Sequence, residues 1–263
     1  MNLLSKLLIN CSNSTVLAVL FAASSVIPWG AGSKAIAQSV GQEAELNTLT
    51  RVEVEEGWIL LFDGETSRGW RGYGRNTFPI GWEVEDGTLH MKGSRSSEGG
   101  DIIYQQEFQN FRLKLDWKIS EGGNSGIFYL GQELPERGPI YLTAPEMQVL
   151  DNDRHPDARL GRNNNRQAGS LYDLIPAVPQ NTRPAGEWNE VEIVVNDGYI
   201  THKQNGETVV EYQLGTSEWK ELVAGSKFPG LNENWVDVAT KGYIGMQDHG
   251  DEVWFRNLKL LEL

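Results

Sequence analysis

A short segment near the middle of the chain, Glu146-Met147-Gln148-Val149-Leu150-Asp151, carries side chains that could do chemistry. If it is a strand, Glu146 and Gln148 share one face, because successive side chains of a strand point to opposite faces. A carboxylate can move a proton or hold a metal, and an amide can bind sugar hydroxyls through two hydrogen bonds. The segment predicts a polar saccharide site on a sheet, or alternatively a strand with one solvated face.

Two glycine-flanked segments supply further candidates, 242–250 and 122–126. In the first, His249 could act as a base near neutral pH, with Asp248 or a backbone carbonyl fixing its tautomer. The alternative is a solvated loop histidine. In the second, Asn124 could bind a ligand at the glycine-rich entry to a strand, although a bulge or tight corner would need the same glycines.

The elements that must position these residues are predicted to be strands. From Gly57 onward, apolar and polar residues alternate with period two, as in 111–119 and 189–196. Asp-Gly and Asn-Gly dipeptides at 86–87, 197–198 and 205–206 are typical of tight hairpin turns. Helical periodicity is limited to short stretches at Ser217–Ala224 and 171–175. The fold class predicted is therefore all-β, an antiparallel β-sandwich or jelly roll with few short helical turns.

Near the C-terminus the alternation changes parity between Phe255 and Leu258, which predicts a β-bulge around Arg256-Asn257. Arg256 could be a ligand clamp, or it could merely cover the bulge.

Length and composition favour one domain. The chain has 263 residues, of which 39% are hydrophobic and 22% are charged, and its formal net charge is -13. Such an acidic chain would repel a nucleic-acid backbone instead of releasing its counterions, so nucleic acid is excluded as a partner. The charge suits a soluble protein with a neutral or cationic ligand.

The first residues resemble an export signal. Lys6 precedes an apolar run at 16–27, and small residues lead to Ala35-Ile36-Ala37. We predict a secretory signal peptide at 1–37, a flexible acidic leader at 38–56 and the functional domain at 57–263. A periplasmic or secreted protein without stable membrane insertion follows, the alternative being a retained membrane anchor. The one cysteine, Cys11, lies within the signal, so no disulfide is expected.

An ordinary glycosidase is a weaker interpretation of the Glu146 segment. Sandwich-fold glucanases often carry Glu-x-Asp-x-x-Glu, and here the middle acid is replaced by Gln148. A second carboxylate facing Glu146 would have to come from elsewhere, with Asp151, Asp173 and Asp248 as the candidates.

Several motifs occur together and in order. They are 57–67 (Gly-Trp-Ile-Leu-Leu-Phe-Asp-Gly-Glu-Thr-Ser), Gly69-Trp70, 82–87, 123–127, 146–148, 186–189, 247–250 and Phe255-Arg256-Asn257. The whole, from about Gly57 to Leu263, resembles the 3-keto-disaccharide hydrolase domain family, whose members have a concanavalin A-like sandwich.

The resemblance implies a small-molecule saccharide oxidised at C3 of one glucosyl unit. The ketone would acidify the C2 proton, a base would remove it, the aglycone would leave from C1, and water could then add. We therefore predict Glu146 or His249 as the base. Asn124, Gln148, Asp248 and Arg256 are expected to bind the substrate, and a divalent metal ion is a further possibility without defined ligands. The alternative is a carbohydrate-binding module without catalysis.

Overall fold

The computed structural model describes residues 45–93, 99–133 and 138–263. Its strands are β1 (Ile59–Leu60), β2 (Trp70–Gly72), β3 (Trp82–Glu85), β4 (Thr88–Lys92), β5 (Ile102–Phe108), β6 (Phe111–Ile119), β7 (Asn124–Gly131), β8 (Glu146–Leu150), β9 (Asn189–Asn196), β10 (Tyr199–Gln204), β11 (Glu207–Gln213), β12 (Gly242–Met246) and β13 (Glu252–Glu262). Its helices are α1 (Arg51–Glu56) and α2 (Ser217–Ala224), with single 3₁₀ turns at Ile140–Leu142, Pro156–Arg159 and Phe228–Gly230.

The strands form two antiparallel sheets that pack face to face. The larger sheet has the order β11-β10-β9-β6-β13-β4-β3, with β1 also paired to β13, and the smaller has the order β2-β5-β12-β7-β8. The prediction of an all-β antiparallel sandwich with few short helical turns is confirmed.

The core lies between the sheets and follows from the period-two pattern. Along β6 every second side chain from Phe111 to Ile119 is buried. Those side chains meet Ile127 and Tyr129 of β7 and Met147 of β8 in one hydrophobic cluster. A smaller apolar cluster lies on the outer face of the smaller sheet and consists of Ile103, Phe128, Ile140 and Ala144. It holds the 139–144 segment against that face.

The turn residues behave as their types predict. Asp86-Gly87 joins β3 to β4, and Asp197-Gly198 and Asn205-Gly206 join β9, β10 and β11. All six residues have positive φ, between 48° and 86°, which these two-residue hairpins require. The predicted bulge is confirmed as a register shift between Arg256 and Lys259.

Two segments differ from the prediction. Part of the stretch predicted to be a flexible leader is ordered: Thr50 and Glu53 form a capping box that starts α1, and Asn47 exchanges two hydrogen bonds of 2.8 Å with Asn257. The stretch 171–175 forms a hydrogen-bonded turn closed by a Leu171–Ile175 bridge, not a helical turn. The predicted signal peptide, 1–37, lies outside the described residues.

No helix among the described residues is both long enough and apolar enough to cross a membrane.

A buried polar network crosses the core. The ring nitrogens of His202 lie 2.7 Å from the Tyr129 hydroxyl and 3.2 Å from the carbonyl of Gly169, and Tyr129 also contacts the Tyr212 hydroxyl at 2.7 Å. These bonds are satisfied when neutral His202 donates to Gly169 and accepts from Tyr129, which accepts from Tyr212. Burial of the imidazole lowers the pKa of His202 to about 4.

We expect this network to make the protein less stable in mild acid. His202 takes up a proton on unfolding between pH 6.5 and 4, so its contribution to the unfolding free energy is present above pH 6.5. About 3 kcal/mol is lost as the pH falls to 4. Urea unfolding of wild type and His202→Gln across this range should show a shallower decline for the variant. Parallel curves would contradict the role assigned to His202.

Candidate active site

The candidate site is a cavity of about 320 Å³ on the outer face of the smaller sheet. Along β8, Met147 and Val149 point into the core, so Glu146 and Gln148 point outward, as the alternation predicts. The residues that line the cavity are Asn124, Tyr141, Glu146, Gln148, Tyr172, Lys227, Phe228, Leu231, Gln247 and His249. The structure therefore brings together four of the six predicted site residues.

A backbone ladder places Tyr172 beside Glu146. The outer edge of β8 is covered by 169–172, where Gly169 N–H donates to the Gln148 carbonyl at 2.8 Å and Tyr172 N–H to the Glu146 carbonyl at 3.0 Å. The segment 169–172, which overlaps the stretch predicted to be a helical turn, thus pairs with the outer edge of β8 through backbone hydrogen bonds.

The carboxyl group of Glu146 is buried, with 6% of the residue exposed. Burial raises the pKa of Glu146 to about 8, against the opposing effect of the Lys227 ammonium. The carboxylates of Asp101 and Asp157 raise it further. Since a stronger base holds its proton more tightly, ionised Glu146 is a better proton acceptor than an ordinary glutamate.

Gly126 leaves room for this carboxyl group. It lies opposite Gln148 on β7, and a Cβ at position 126 would overlap Oε1 of Glu146. The glycine that the sequence suggested as a bulge or corner is therefore required by a close side-chain approach.

The Gln148 amide fixes the direction of the carboxyl group. In the orientation that satisfies its hydrogen bonds, its nitrogen lies 2.9 Å from Oε1 of Glu146 and 3.0 Å from the Ser125 carbonyl, and donates to both. Its other amide atom faces the Asn124 amide at 3.3 Å. A neutral amide can hold a neighbouring carboxylate without the repulsion that a second acid would bring.

A chain of polar contacts runs from the cavity to its supporting loop. Lys227 Nζ donates to the Tyr172 hydroxyl at 3.1 Å, and that hydroxyl donates to Asp157 at 2.8 Å. Arg166 bonds Asp157 at 2.8 Å and Asp173 at 2.6 Å. Burial and the hydrogen bond to Asp157 raise the pKa of Tyr172, so it stays a neutral hydroxyl.

His249 lies at the exposed rim of the cavity, with its ring 6.2 Å from that of His155. The neighbouring Asp248 does not line the cavity. Its carboxylate accepts from the backbone N–H groups of Gly100 at 2.6 Å and Gly250 at 2.9 Å. The prediction that Asp248 binds substrate is thus corrected: Asp248 holds the loop that carries His249.

Arg256 is also placed away from the cavity, which corrects the prediction that it binds substrate there. It lies on β13 of the larger sheet, where Nε contacts Asp116 at 3.1 Å and the guanidinium stacks on Trp188 at 3.9 Å. This position agrees with the other alternative given by the sequence, that Arg256 covers the bulge.

Six lining residues were not predicted. Gln247 belongs to the recognised 247–250 motif and could have been found from it. The others, Tyr141, Tyr172, Lys227, Phe228 and Leu231, come from loops and 3₁₀ turns, for which strand alternation gives no signal.

Glu146 is the single carboxylate among the described residues that line the cavity. The glycosidase alternative needed a partner, but Asp151 accepts from Gly122 N–H at 2.7 Å and Asp173 is paired with Arg166. The described ranges also contain no group of three or more His, Cys, Asp or Glu side chains arranged to hold a metal ion.

Comparison with known proteins gives consistent matches. Residues 57–261 match the family model described as a 3-keto-alpha-glucoside-1,2-lyase-like domain. A 3-keto-disaccharide hydrolase of Bacteroides thetaiotaomicron is 49% identical over 238 residues, which cover 82% of each chain. A crystal structure from Parabacteroides distasonis, described as a candidate glycosyl hydrolase, has a TM-score of 0.75 at 32% identity and covers 83% of this chain and 100% of its own. A second from that organism has a TM-score of 0.61 at 26% identity, covering 78% and 99%.

Proposed function

Since this chain belongs to the family of 3-keto-alpha-glucoside-1,2-lyase-like domains, we propose that it cleaves the glycosidic bond of 3-keto-disaccharides by β-elimination followed by rehydration. The family match confirms the resemblance found in the sequence. The curated relative is a hydrolase, which favours an enzyme over a carbohydrate-binding module without catalysis.

The chemistry follows from the ketone. A carbonyl at C3 acidifies the C2 proton, and the glycosidic oxygen at C1 lies β to the resulting carbanion. Removal of the C2 proton therefore lets the C1–O bond break, leaving a C1=C2 double bond conjugated with the ketone. Water then adds at C1 and a proton returns to C2, so the sum is hydrolysis. Such a reaction needs one well-placed base and does not need paired carboxylates.

One observation supports this route above the others: among the described residues, a single buried carboxyl group, Glu146, faces a cavity lined otherwise by neutral and cationic groups. We assign Glu146 as the base, because its raised pKa and its hydrogen bond from Gln148 suit proton abstraction. Asn124 and Gln247 line the same cavity and can bind sugar hydroxyls. His249, the other candidate base, is exposed at the rim, where it can contact the substrate as it enters.

The mouth of the cavity suits one sugar ring and its substituent. A volume of about 320 Å³ is at the lower end of the roughly 300–1,000 Å³ typical of ligand pockets. Tyr141 and Leu231 are partly exposed there and can pack on the apolar face of a sugar.

The test is carried out in deuterated water with a purified 3-keto-disaccharide. The wild type should release 3-keto-glucose carrying deuterium at C2 faster than free 3-keto-glucose exchanges in a control without enzyme. The parent disaccharide, which lacks the ketone, should remain intact. Cleavage without deuterium at C2 would contradict elimination, and cleavage of the parent sugar would restore the glycosidase alternative. A parallel assay with a chelator tests the predicted divalent metal ion: loss of cleavage would support it, and unchanged cleavage would contradict it.

We also propose that the protein works in the periplasm or outside the cell. The support is the signal-like pattern at 1–37.

A further inference from the structure

The proposed elimination leaves a second proton unassigned. Glu146 takes the C2 proton, but an alcohol leaving from C1 needs a proton on its oxygen, because a sugar or alkyl alkoxide is a poor leaving group. The reaction therefore needs an acid within reach of the glycosidic oxygen at C1. The inference below rests on the proposed function.

Lys227 is the cation among the described residues that line the cavity. It lies between the end of α2 and the 3₁₀ turn Phe228–Gly230, so it reaches the cavity from a different segment than Glu146. Its Nζ is 4.3 Å from the centre of the Tyr172 ring and 3.1 Å from the hydroxyl of the same residue. The ammonium is thus held in one place by a side chain that also lines the cavity.

The contacts behind Tyr172 keep this arrangement rigid. The Tyr172 hydroxyl can accept from Lys227 only while its own proton is donated elsewhere, and Asp157 accepts it at 2.8 Å. Arg166 holds Asp157 in turn, and the Lys227 backbone N–H donates to Asp173 at 3.3 Å. Both ends of the lysine are therefore anchored to the loop 157–173.

We propose that Lys227 is the general acid that protonates the departing glycosidic oxygen while Glu146 removes the C2 proton. In elimination, the C2–H and C1–O bonds break, a C1=C2 double bond forms, Glu146 gains a proton and Lys227 loses one. In rehydration, water adds to C1, its proton returns to neutral Lys227, and Glu146 returns its proton to C2. Both groups end in their starting state, and one water is consumed.

The charges around Lys227 are compatible with this role. Partial burial and the Arg166 guanidinium lower the pKa of Lys227, whereas the carboxylates of Asp173, Glu146 and Asp157 raise it. A lowered pKa makes the ammonium a stronger acid than an ordinary lysine at neutral pH. Tyr172 acts as a positioning residue, because its hydroxyl orients Nζ.

The leaving group provides the decisive test. Lys227→Met keeps an unbranched, flexible side chain that is one atom shorter than lysine, and it removes the acid. We expect it to release the aglycone of a 3-keto-disaccharide at least about 100-fold more slowly, as for loss of a general acid. With a 4-nitrophenyl 3-keto-glucoside, whose phenolate leaves without a proton, we expect a loss of less than about fivefold, because that departure needs no acid. Lys220→Met, at an exposed site on α2, is the matched control and should behave as wild type.

A second measurement separates this proposal from the proposed function. In deuterated water, Lys227→Met should still introduce deuterium at C2 of unreacted 3-keto-disaccharide, because Glu146 is intact. If wild type gives no C2 deuterium, the proposed function fails. If wild type does and Lys227→Met loses equally with both leaving groups, Lys227 acts on the ketone and the acid assignment is overturned. The acid assignment is also overturned if Lys227→Met has unchanged activity. It is overturned as well if the dependence on the leaving group appears in His249→Gln instead of Lys227→Met.

Tyr172→Phe checks the positioning role. It keeps the ring under the ammonium and removes the hydroxyl, so we expect about a tenfold lower kcat with an unchanged KM, again selective for the disaccharide, because misplacing a catalytic group slows chemistry more than it weakens binding. An equal loss with both leaving groups would show a structural role only.

Discussion

Glu146→Gln is expected to lower kcat/KM for 3-keto-disaccharides by at least about 10³-fold, because general-base catalysis of this kind contributes roughly 10²–10⁴-fold. The glutamine keeps the size of the side chain and can still bond to Gln148, so the loss reports the missing base. In wild type, kcat/KM should rise with pH up to about 8, where buried Glu146 ionises. His249→Gln is the comparison: a larger loss there than in Glu146→Gln would move the base to His249.

The same substitution is expected to stabilise the protein in alkali. The folded pKa of Glu146 is raised from 4.5 to about 8, so folding favours the protonated form, and the stability this contributes is lost as the pH rises between these values. Glu146→Gln has no proton to lose, so above pH 8 it should gain about 5 kcal/mol relative to wild type. Burial also raises the pKa of Asp101 to about 7, so Asp101 changes the stability in the same direction. Because Asp101 is present in both proteins, its effect cancels in the comparison. Urea unfolding at pH 6 and pH 9 measures the difference, and an equal effect at both would refute the buried-carboxyl explanation.

Gly126→Ala is expected to lower kcat about 100-fold, because the added Cβ would displace the Glu146 carboxyl group and misplacement by about 1 Å can have that effect. Gly230→Ala, at a position where a Cβ meets nothing within 4 Å, is the control. Both should remain folded by near-ultraviolet circular dichroism.

The double variant Gly126→Ala with Glu146→Asp makes this prediction sharper. A shorter carboxyl side chain relieves the overlap with the added Cβ. Gly126→Ala should therefore lower kcat less when it is introduced into Glu146→Asp than when it is introduced into wild type. Additive losses in kcat would show that Gly126 acts independently of the carboxyl group.

Much of the scaffold could be predicted from short-range chemistry. The alternation in β6 and β9, the hairpin dipeptides and the parity change near Asn257 each specify backbone geometry locally, and each is confirmed. The same local rule correctly placed Glu146 and Gln148 on one face of β8 and away from the core.

The remainder of the site depends on contacts distant in sequence. Tyr172 and Lys227 are 55 residues apart and meet through the packing of loops, which no periodic pattern encodes. Asp248 and Arg256 were predicted to bind substrate because their residue types suit ligand binding. The residue type does not tell whether the charged side chain is instead bound by a partner within the protein, such as a backbone N–H or an aspartate. In both cases a nearby partner binds it.

The central position of β13 constrains how the chain can fold. It pairs with β6 on one side and with β4 and β1 on the other, and it follows every other described strand in the chain. The larger sheet therefore cannot be completed while the earlier strands are synthesised. Until β13 is available, β4 and β6 each have one edge without a hydrogen-bonded neighbour. Pairings at such long sequence separation make folding slow. Until β13 emerges, these unpaired edges expose the nascent protein to aggregation, which a chaperone would prevent.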